Sequence, residues 1–396
     1  MRGMGDVEAE ARVLTSEAGR ALLAEVGTVL VPGPAELSRW RKQAPAVLVS
    51  AALRLASCRR RGAAKFSRAD AMWFEATGLE QATAQPVSRH KARRFEGGLV
   101  VDLCSGIGGD ALALATKATV LAVDLDAGMN RRVRWNAEVY GVAERVAPIR
   151  ARAESFPIPR GARIHIDPDR RAGLGRSRRA RALRDYVPGP AFLSRLPEMA
   201  PGGAIKLGPA SDFDGHFAGN GFEIELVSLG GECKEATVWF GDLATCRRRA
   251  TRLPELVTWT DRSAPDAPPI APRGISGWVF DPDPALVRSG LLDSFATEHG
   301  LSRCVAGIDF LTGPKRVASP FLAEFQVLEV LPLDLKALKR LVVARGLGPL
   351  EIKTKGVDIR PEALRDRLRP PGPNPATLLL MGGSGPARAV LARRVG

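Results

Sequence analysis

Residues 101–109 read VDLCSGIGG, and residues 120–126 read VLAVDLD. Apolar residues run into a sharp glycine turn. A helix over 108–117 follows, then a second strand that ends in acid. That succession predicts a nucleoside-cofactor site on an α/β sheet, because glycine lets the backbone approach a ligand closely. Asp124 falls where a carboxylate holds ribose hydroxyls, and Leu125 beside it is placed to lie against adenine. A dinucleotide site looks similar at this level, so the neighbouring residues have to decide.

Asp102 ends the first strand beneath the turn formed by Cys104, Gly106 and Gly108. A dinucleotide fingerprint usually has its first glycine directly after the strand, and a helix N-terminus facing pyrophosphate. Here an acid stands at the mouth of the site. It repels pyrophosphate but suits the charged amino-acid end of S-adenosylmethionine. Asp110, just past the turn, argues the same way. Asp126 lies two residues beyond Asp124 and is the natural cap of the next helix. The third strand should deliver a polar group toward the adenine amine, and Glu154 in RARAESFP is what the sequence offers there.

Working outward, VAPIRA, ARIHIDPD and GGAIKLG continue as strands three to five with helices between them. Parallel strands with crossover helices imply a doubly wound sheet. FEIELVSLGG and CKEATVWFG then form an antiparallel pair. Residues 1–96 carry helical periodicity, with Pro34 placed to start a helix. Residues 97–260 form the cofactor-binding domain. The polar, proline-rich stretch 261–275 reads as a linker or long connection. Residues 276–396 form a small α+β region, in which 325–356 reads as strand, helix, strand and ATLLLMGG as a further strand.

Composition narrows the function. Apolar residues make up 45% of the 396, enough for a core, and no long uncharged apolar run suggests a membrane span. The N-terminus does not read as a signal peptide. Five scattered cysteines without CxxC and only four histidines point away from a zinc site, a disulfide framework or a histidine-built metal centre. The expectation is a reduced, cytoplasmic protein. Its formal net charge of +15 rests on arginine more than lysine, which favours a nucleic-acid partner, although GC-biased coding produces a similar composition.

The stretches VVDLCSGIGGDALALA, VLAVDLD and WNAEVYGVAERV resemble the class I RNA methyltransferases. NAEVYGV, residues 136–142, is similar to the trimethylguanosine synthase group, which methylates the exocyclic amine of a guanine cap. The rest of the chain resembles bacterial methyltransferases with a THUMP-like C-terminal domain. That likeness is carried by residues 65–83, by IDPDRR at 166–171, by VFDPDPALVRSGLLD at 279–293 and by 350–368. The resemblance implies a seven-stranded doubly wound sheet ending in the antiparallel hairpin. It places Asp102, Gly106 and Gly108 around the methionine part of the cofactor and Asp124 on its ribose.

One motif departs from the exocyclic-amine enzymes. They carry Asp, Asn or Ser, then Pro-Pro and an aromatic residue, after strand four. This chain has Asp167, Pro168, Asp169 and Arg170. Asp167 is the candidate to orient or deprotonate the acceptor, with Asp169 second. A guanidinium such as that of Arg170 can stack on a base in place of the aromatic ring. His165 reads as a hydrogen-bonded core histidine. Residues 160–184 hold nine arginines against two aspartates. Arg171 and Arg176, with Pro168 and with Tyr186 as a stacking ring, are the candidate substrate contacts. Further basic runs lie at 88–95, 339–346 and 351–356. Three functions remain: methylation of RNA, in tRNA or rRNA; methylation of a phosphorylated small molecule; and a non-catalytic RNA-binding module that keeps the cofactor fold. The sequence carries no signal for oligomeric state.

Overall fold

The computed structural model describes residues 4–170, 183–213, 215–217, 219, 221–263 and 268–395. They form two compact units. The first comprises residues 1–221 and 238–244, and the second residues 222–237 and 245–396.

The first unit opens with helices α1 (Met4–Thr15), α2 (Glu17–Gly27), α3 (Pro34–Gln43), α4 (Ala46–Gly62), α5 (Ala76–Gln81) and α6 (Gln85–Ala92). Ser16 caps α2 by accepting the Gly19 N–H at 3.1 Å, and Pro34 starts α3 as expected. The sheet begins with β1 (Leu99–Leu103), α7 (Gly109–Leu114), β2 (Thr119–Asp124), α8 (Ala127–Val139), β3 (Val146–Arg150) and β4 (Arg163–Ile166). Two short strands, β5 (Asp169–Arg170) and β6 (Tyr186–Val187), pair with each other antiparallel. Helices α9 (Pro190–Leu193) and α10 (Leu196–Met199) then lead into β7 (Gly202–Leu207). One apolar cluster joins Val49, Ala52 and Leu55 of α4 to Ile107, Ala111 and Leu114 around the glycine turn and to Val100 and Val120 of the sheet. The helical segment is therefore packed into the same core as the cofactor-binding fold, which hydrophobic burial favours over two separate small cores.

Next come β8 (Phe222–Leu229), β9 (Glu232–Gly241), β10 (Arg248–Leu253) and β11 (Val257–Thr260). Among the described residues the larger sheet runs β11-β10-β8-β9-β7-β4-β1-β2-β3. The strands β1–β4 and β7–β9 give the seven-stranded class I order. β10 and β11, which the sequence reading did not anticipate, extend it at the β8 edge. β10 lies parallel to β8 and antiparallel to β11.

The rest of the second unit is β12 (Trp278–Pro282), α11 (Pro284–Arg288), α12 (Leu292–Glu298), β13 (Ser302–Arg303), β14 (Leu311–Gly313), β15 (Leu322–Pro332), α13 (Leu335–Ala344), β16 (Leu347–Lys355), α14 (Pro361–Leu368), β17 (Asn374–Met381) and β18 (Arg388–Val395). Its sheet order is β13-β14-β12-β15-β18-β17-β16. The expected strand–helix–strand is β15, α13 and β16. Residues 388–395 form β18, paired along β15 and β17. Leu338, Leu341 and Val342 of α13 and Leu364 and Leu368 of α14 bury one face on the strands, as amphipathic spacing dictates.

Candidate active site

The chain leaves β1 toward β2 and β3 on one side and returns through β4 and β7 on the other. In such sheets ligands bind beyond the carboxyl ends of the strands at this reversal. The parallel register brings the ends of β1, β2, β4 and β7 to one edge. Cys104, Asp124, Asp167 and Lys206 are grouped there.

The turn after β1 is built on positive φ. Cys104 has φ 59°, Gly106 54° and Gly108 92°. Glycine tolerates this region without penalty, whereas Cys104 adopts it at a cost. A Cβ on Gly106 would meet nothing within 4 Å, so the turn is open on that side. Asp124 closes it from β2. One carboxylate oxygen accepts the Gly106 N–H at 2.9 Å and the other the Asp126 N–H at 2.8 Å. Burial pushes the Asp124 carboxyl above its ordinary value, and these two N–H groups pull against that. Asp126 caps α8, accepting from Gly128 at 2.6 Å and Met129 at 3.1 Å. Leu125 is exposed beside Asp124, and Glu154 is exposed on a single turn at residues 153–155. An open glycine turn flanked by a half-buried acid and an exposed apolar side chain fits the amino-acid, ribose and adenine parts of S-adenosylmethionine.

Asp102 faces inward. It stands opposite His165 in the β1–β4 register, and its Oδ1 lies 2.6 Å from His165 Nδ1. Both side chains are buried, and Asp102 Oδ2 and His165 Nε2 have no hydrogen-bond partner. Burial raises the Asp102 pKa, while His165 acts to lower it. Asp110 also turns inward, away from the mouth where the sequence reading had it. Its carboxylate pairs with Lys91 of α6 at 2.9 Å and accepts from Thr83 Oγ1 at 2.6 Å. Burial works to raise its pKa, but Lys91 and other neighbouring cations hold it below the usual carboxylate range. Asn136, from the NAEVYGV stretch, accepts the Trp73 N–H at 2.8 Å and donates to the carbonyls of Trp73 and Ile107 at 3.1 and 3.0 Å. It ties the glycine turn to the segment before α5.

The loop after β4 carries the acceptor-side candidates. Asp167 is half-buried, Pro168 buried and Asp169 exposed. Lys206 Nζ donates to Asp167 Oδ2 at 2.6 Å, and Gln81 Nε2 donates to Asp169 Oδ1 at 2.6 Å. The Arg170 backbone pairs with Tyr186 in the β5–β6 hairpin. Tyr186 corrects an expectation. Its ring is 1% exposed, and its hydroxyl lies 2.8 Å from Ser211 Oγ and accepts the Gly208 N–H at 2.8 Å. It anchors the hairpin and has no free face for a base. Arg171 and Arg176 lie outside the described residues.

The basic run at 88–95 is only partly a surface. Lys91 is buried on Asp110, and the Arg94 guanidinium lies 4.2 Å from the Trp239 ring centroid and donates to the Leu243 carbonyl. Burial pushes all five thiols up, and at Cys104 the carboxylates of Asp124 and Asp167 add to it, so none is poised as a nucleophile. Among the described residues no group of three or more His, Cys, Asp or Glu is placed to hold a metal ion, and no helix is long and apolar enough to cross a membrane.

The doubly wound sheet and the open glycine turn closed by Asp124 are those of a class I methyltransferase with S-adenosylmethionine as its cofactor. Comparison with known proteins agrees. The chain is 36% identical over 315 residues to a Mycobacterium tuberculosis protein described as an uncharacterized S-adenosylmethionine-dependent methyltransferase, a match spanning 78% of this chain and 84% of the relative. The chain belongs to the S-adenosylmethionine-dependent methyltransferases. Residues 97–180 match the family model of RNA cap guanine-N2 methyltransferase, and residues 322–394 that of THUMP domain-like proteins. A crystal structure from Porphyromonas gingivalis, described as a methyltransferase, superposes with a TM-score of 0.76 at 20% identity, covering 95% of this chain and 98% of that one. At that identity the likeness speaks for the fold.

Sequence reading did not foresee that Lys206 would meet Asp167 or that Gln81 would meet Asp169. Lys206 sits in GGAIKLG and Gln81 in the segment 65–83, and neither stretch says by itself what its polar residue will meet.

Proposed function

We propose that this enzyme methylates a base of RNA, in tRNA or rRNA. The observation that carries the reading is Asp167 at the carboxyl end of β4, oriented by Lys206 where the exocyclic-amine enzymes hold their acceptor. The match to RNA cap guanine-N2 methyltransferase over this part of the chain, the THUMP-like region and the net charge of +15 support an RNA acceptor.

S-adenosylmethionine supplies a methyl group activated by its sulfonium. The protein has to align the acceptor with that methyl and manage one proton. Asp124 and the glycine turn hold the cofactor. Asp167 accepts a hydrogen bond from the attacking group, stabilises the positive charge that develops on that group and accepts the proton it gives up. Asp169 is the second acid on the same loop. Arg170, Arg171 and Arg176 grip phosphate or stack on a base.

The test is incubation of the purified chain with methyl-labelled cofactor and total RNA from cells lacking this enzyme, with protein and metabolite extracts in parallel. Label in RNA, recovered on a single nucleoside, is the expected result. Label confined to metabolites would replace the reading with small-molecule methylation. Cofactor binding with no label in any fraction would favour the non-catalytic RNA-binding module.

A further inference from the structure

Asp167 and Asp169, the two acids of the strand-four loop, are both held by side chains from elsewhere in the fold. Lys206 comes from β7, whose register continues directly beside that of β4. Its Nζ donates to Asp167 Oδ2 at 2.6 Å and to the Gln81 carbonyl at 3.4 Å. Gln81 ends α5, and its side chain donates to Asp169 Oδ1 at 2.6 Å. α5 is itself fixed from below. Lys65 Nζ donates to the carbonyls of Leu79, Glu80 and Ala82 at 2.8, 2.9 and 2.8 Å. The Lys206 side chain is 13% exposed, so its ammonium is largely out of bulk water and strongly directs the carboxylate it meets.

We propose that Lys206 and Gln81 are positioning residues for methyl transfer: Lys206 fixes the carboxylate of Asp167, and Gln81 fixes that of Asp169 and makes the helical segment part of the acceptor side. The inference rests on the acceptor-binding role of Asp167 given above. Its physical basis is preorganisation. A carboxylate free to rotate must be ordered each time the acceptor binds, and a misplacement of about 1 Å at a reacting group costs on the order of 100-fold in rate. A charge-assisted bond from Lys206 removes one rotor before the acceptor arrives.

The experiment compares the parent with Asp167→Asn, Lys206→Met, Lys206→Arg and Gln81→Ala. S-adenosylhomocysteine affinity is measured by calorimetry, thermal unfolding is followed, and single-turnover transfer from labelled cofactor is measured across acceptor concentrations. The acceptor is total RNA from cells lacking the enzyme, or whichever extract fraction takes label. Lys206→Met should keep cofactor affinity within about threefold while its maximal transfer rate falls at least tenfold, and Lys206→Arg should recover most of that loss. Gln81→Ala should mainly raise the half-saturating acceptor concentration. A merely structural role would lower the unfolding temperature without this split and without rescue by arginine. Lys206→Met at the parental rate, with Asp167→Asn slow, would overturn the inference and leave Asp167 in place. Asp167→Asn at the parental rate would overturn the reading of Asp167 itself, and the inference with it. Label appearing outside RNA would change the acceptor class, while Lys206→Met against the parent would still decide this proposal.

Discussion

Asp102 and His165 stand directly opposite each other on adjacent parallel strands, 2.6 Å apart between Oδ1 and Nδ1, with neither side chain reaching solvent. The pair lies in the strands that carry the cofactor turn and the strand-four loop. A buried ionisable pair is stabilising only as a pair, because each partner compensates the desolvation of the other. Replacing His165 with Phe should therefore leave an unpaired buried acid and lower unfolding stability by about 3–5 kcal/mol. Asp102→Asn, which keeps a hydrogen-bonding group of the same size, should cost less. Urea unfolding measures both. A loss under about 1 kcal/mol for His165→Phe would mean that the pair contributes little.

The Lys91–Asp110 pair predicts a pH dependence. Asp110 has a folded pKa held below its unfolded value of about 3.9, because Lys91 and its other cationic neighbours outweigh burial. A carboxyl depressed on folding contributes stability that is present above the unfolded pKa and is lost as pH falls through the folded one. The double variant Lys91→Met with Asp110→Asn removes the titrating group and its partner together. Between pH 5 and pH 3 its unfolding free energy should decline less than the parent's, by about 1 kcal/mol, because only the roughly 0.9 pH unit below the unfolded pKa counts, at about 1.36 kcal/mol per unit. Parallel declines would show that Asp110 does not drive acid unfolding.

These pairs also mark where sequence reading stops. The glycine turn, the strand ending at Asp124 and the Asp126 cap are local patterns, legible because backbone conformation and helix periodicity are set within a few residues. Asp110 belongs to the same local motif, yet its direction is decided by Lys91 and Thr83 on the helical segment. Nothing near Asp110 announces them. Lys206 meets Asp167 across 39 residues and Gln81 meets Asp169 across 88, separations that leave no periodic trace. Tyr186 was misread for the complementary reason. An aromatic beside arginines suggests stacking, but its hydroxyl found Ser211 and Gly208, which made burial affordable. β10 was missed because charge masks its alternation: Arg248, Arg249 and Arg252 surround the buried Ala250, Thr251 and Leu253.

Asp124 supplies a direct test of the cofactor site. Its two oxygens already take the Gly106 and Asp126 N–H groups, so the carboxylate is oriented before any ligand arrives. Asp124→Ala should weaken S-adenosylhomocysteine binding by about 1–3 kcal/mol, through lost ribose hydrogen bonds and a loosened turn. Asp124→Asn, which keeps one acceptor oxygen, should fall between it and the parent. Calorimetric titration reads both. Unchanged affinity in Asp124→Ala would move the ribose contact elsewhere.

The arginine segment yields the final prediction, and it concerns salt. Nine arginines against two aspartates in residues 160–184 adjoin the loop that carries Asp167. If Arg170, Arg171 and Arg176 contact phosphates, each contact releases condensed counterions when RNA binds. Affinity then falls with salt by a slope of about 0.7 per phosphate for single strands and about 0.9 for a duplex. Changing all three to Gln should reduce that logarithmic slope by about 2–3 and weaken RNA binding most at low salt. Binding of S-adenosylhomocysteine should stay within about twofold, since the proposed cofactor contacts are the glycine turn and Asp124. That contrast separates phosphate contacts from a general disturbance of the site, which would weaken both ligands together. Titrations of labelled RNA at several salt concentrations, for parent and triple variant, make the comparison. Superimposable salt dependences would show that these arginines are not the phosphate contacts and would shift attention to the basic strands of the THUMP-like region.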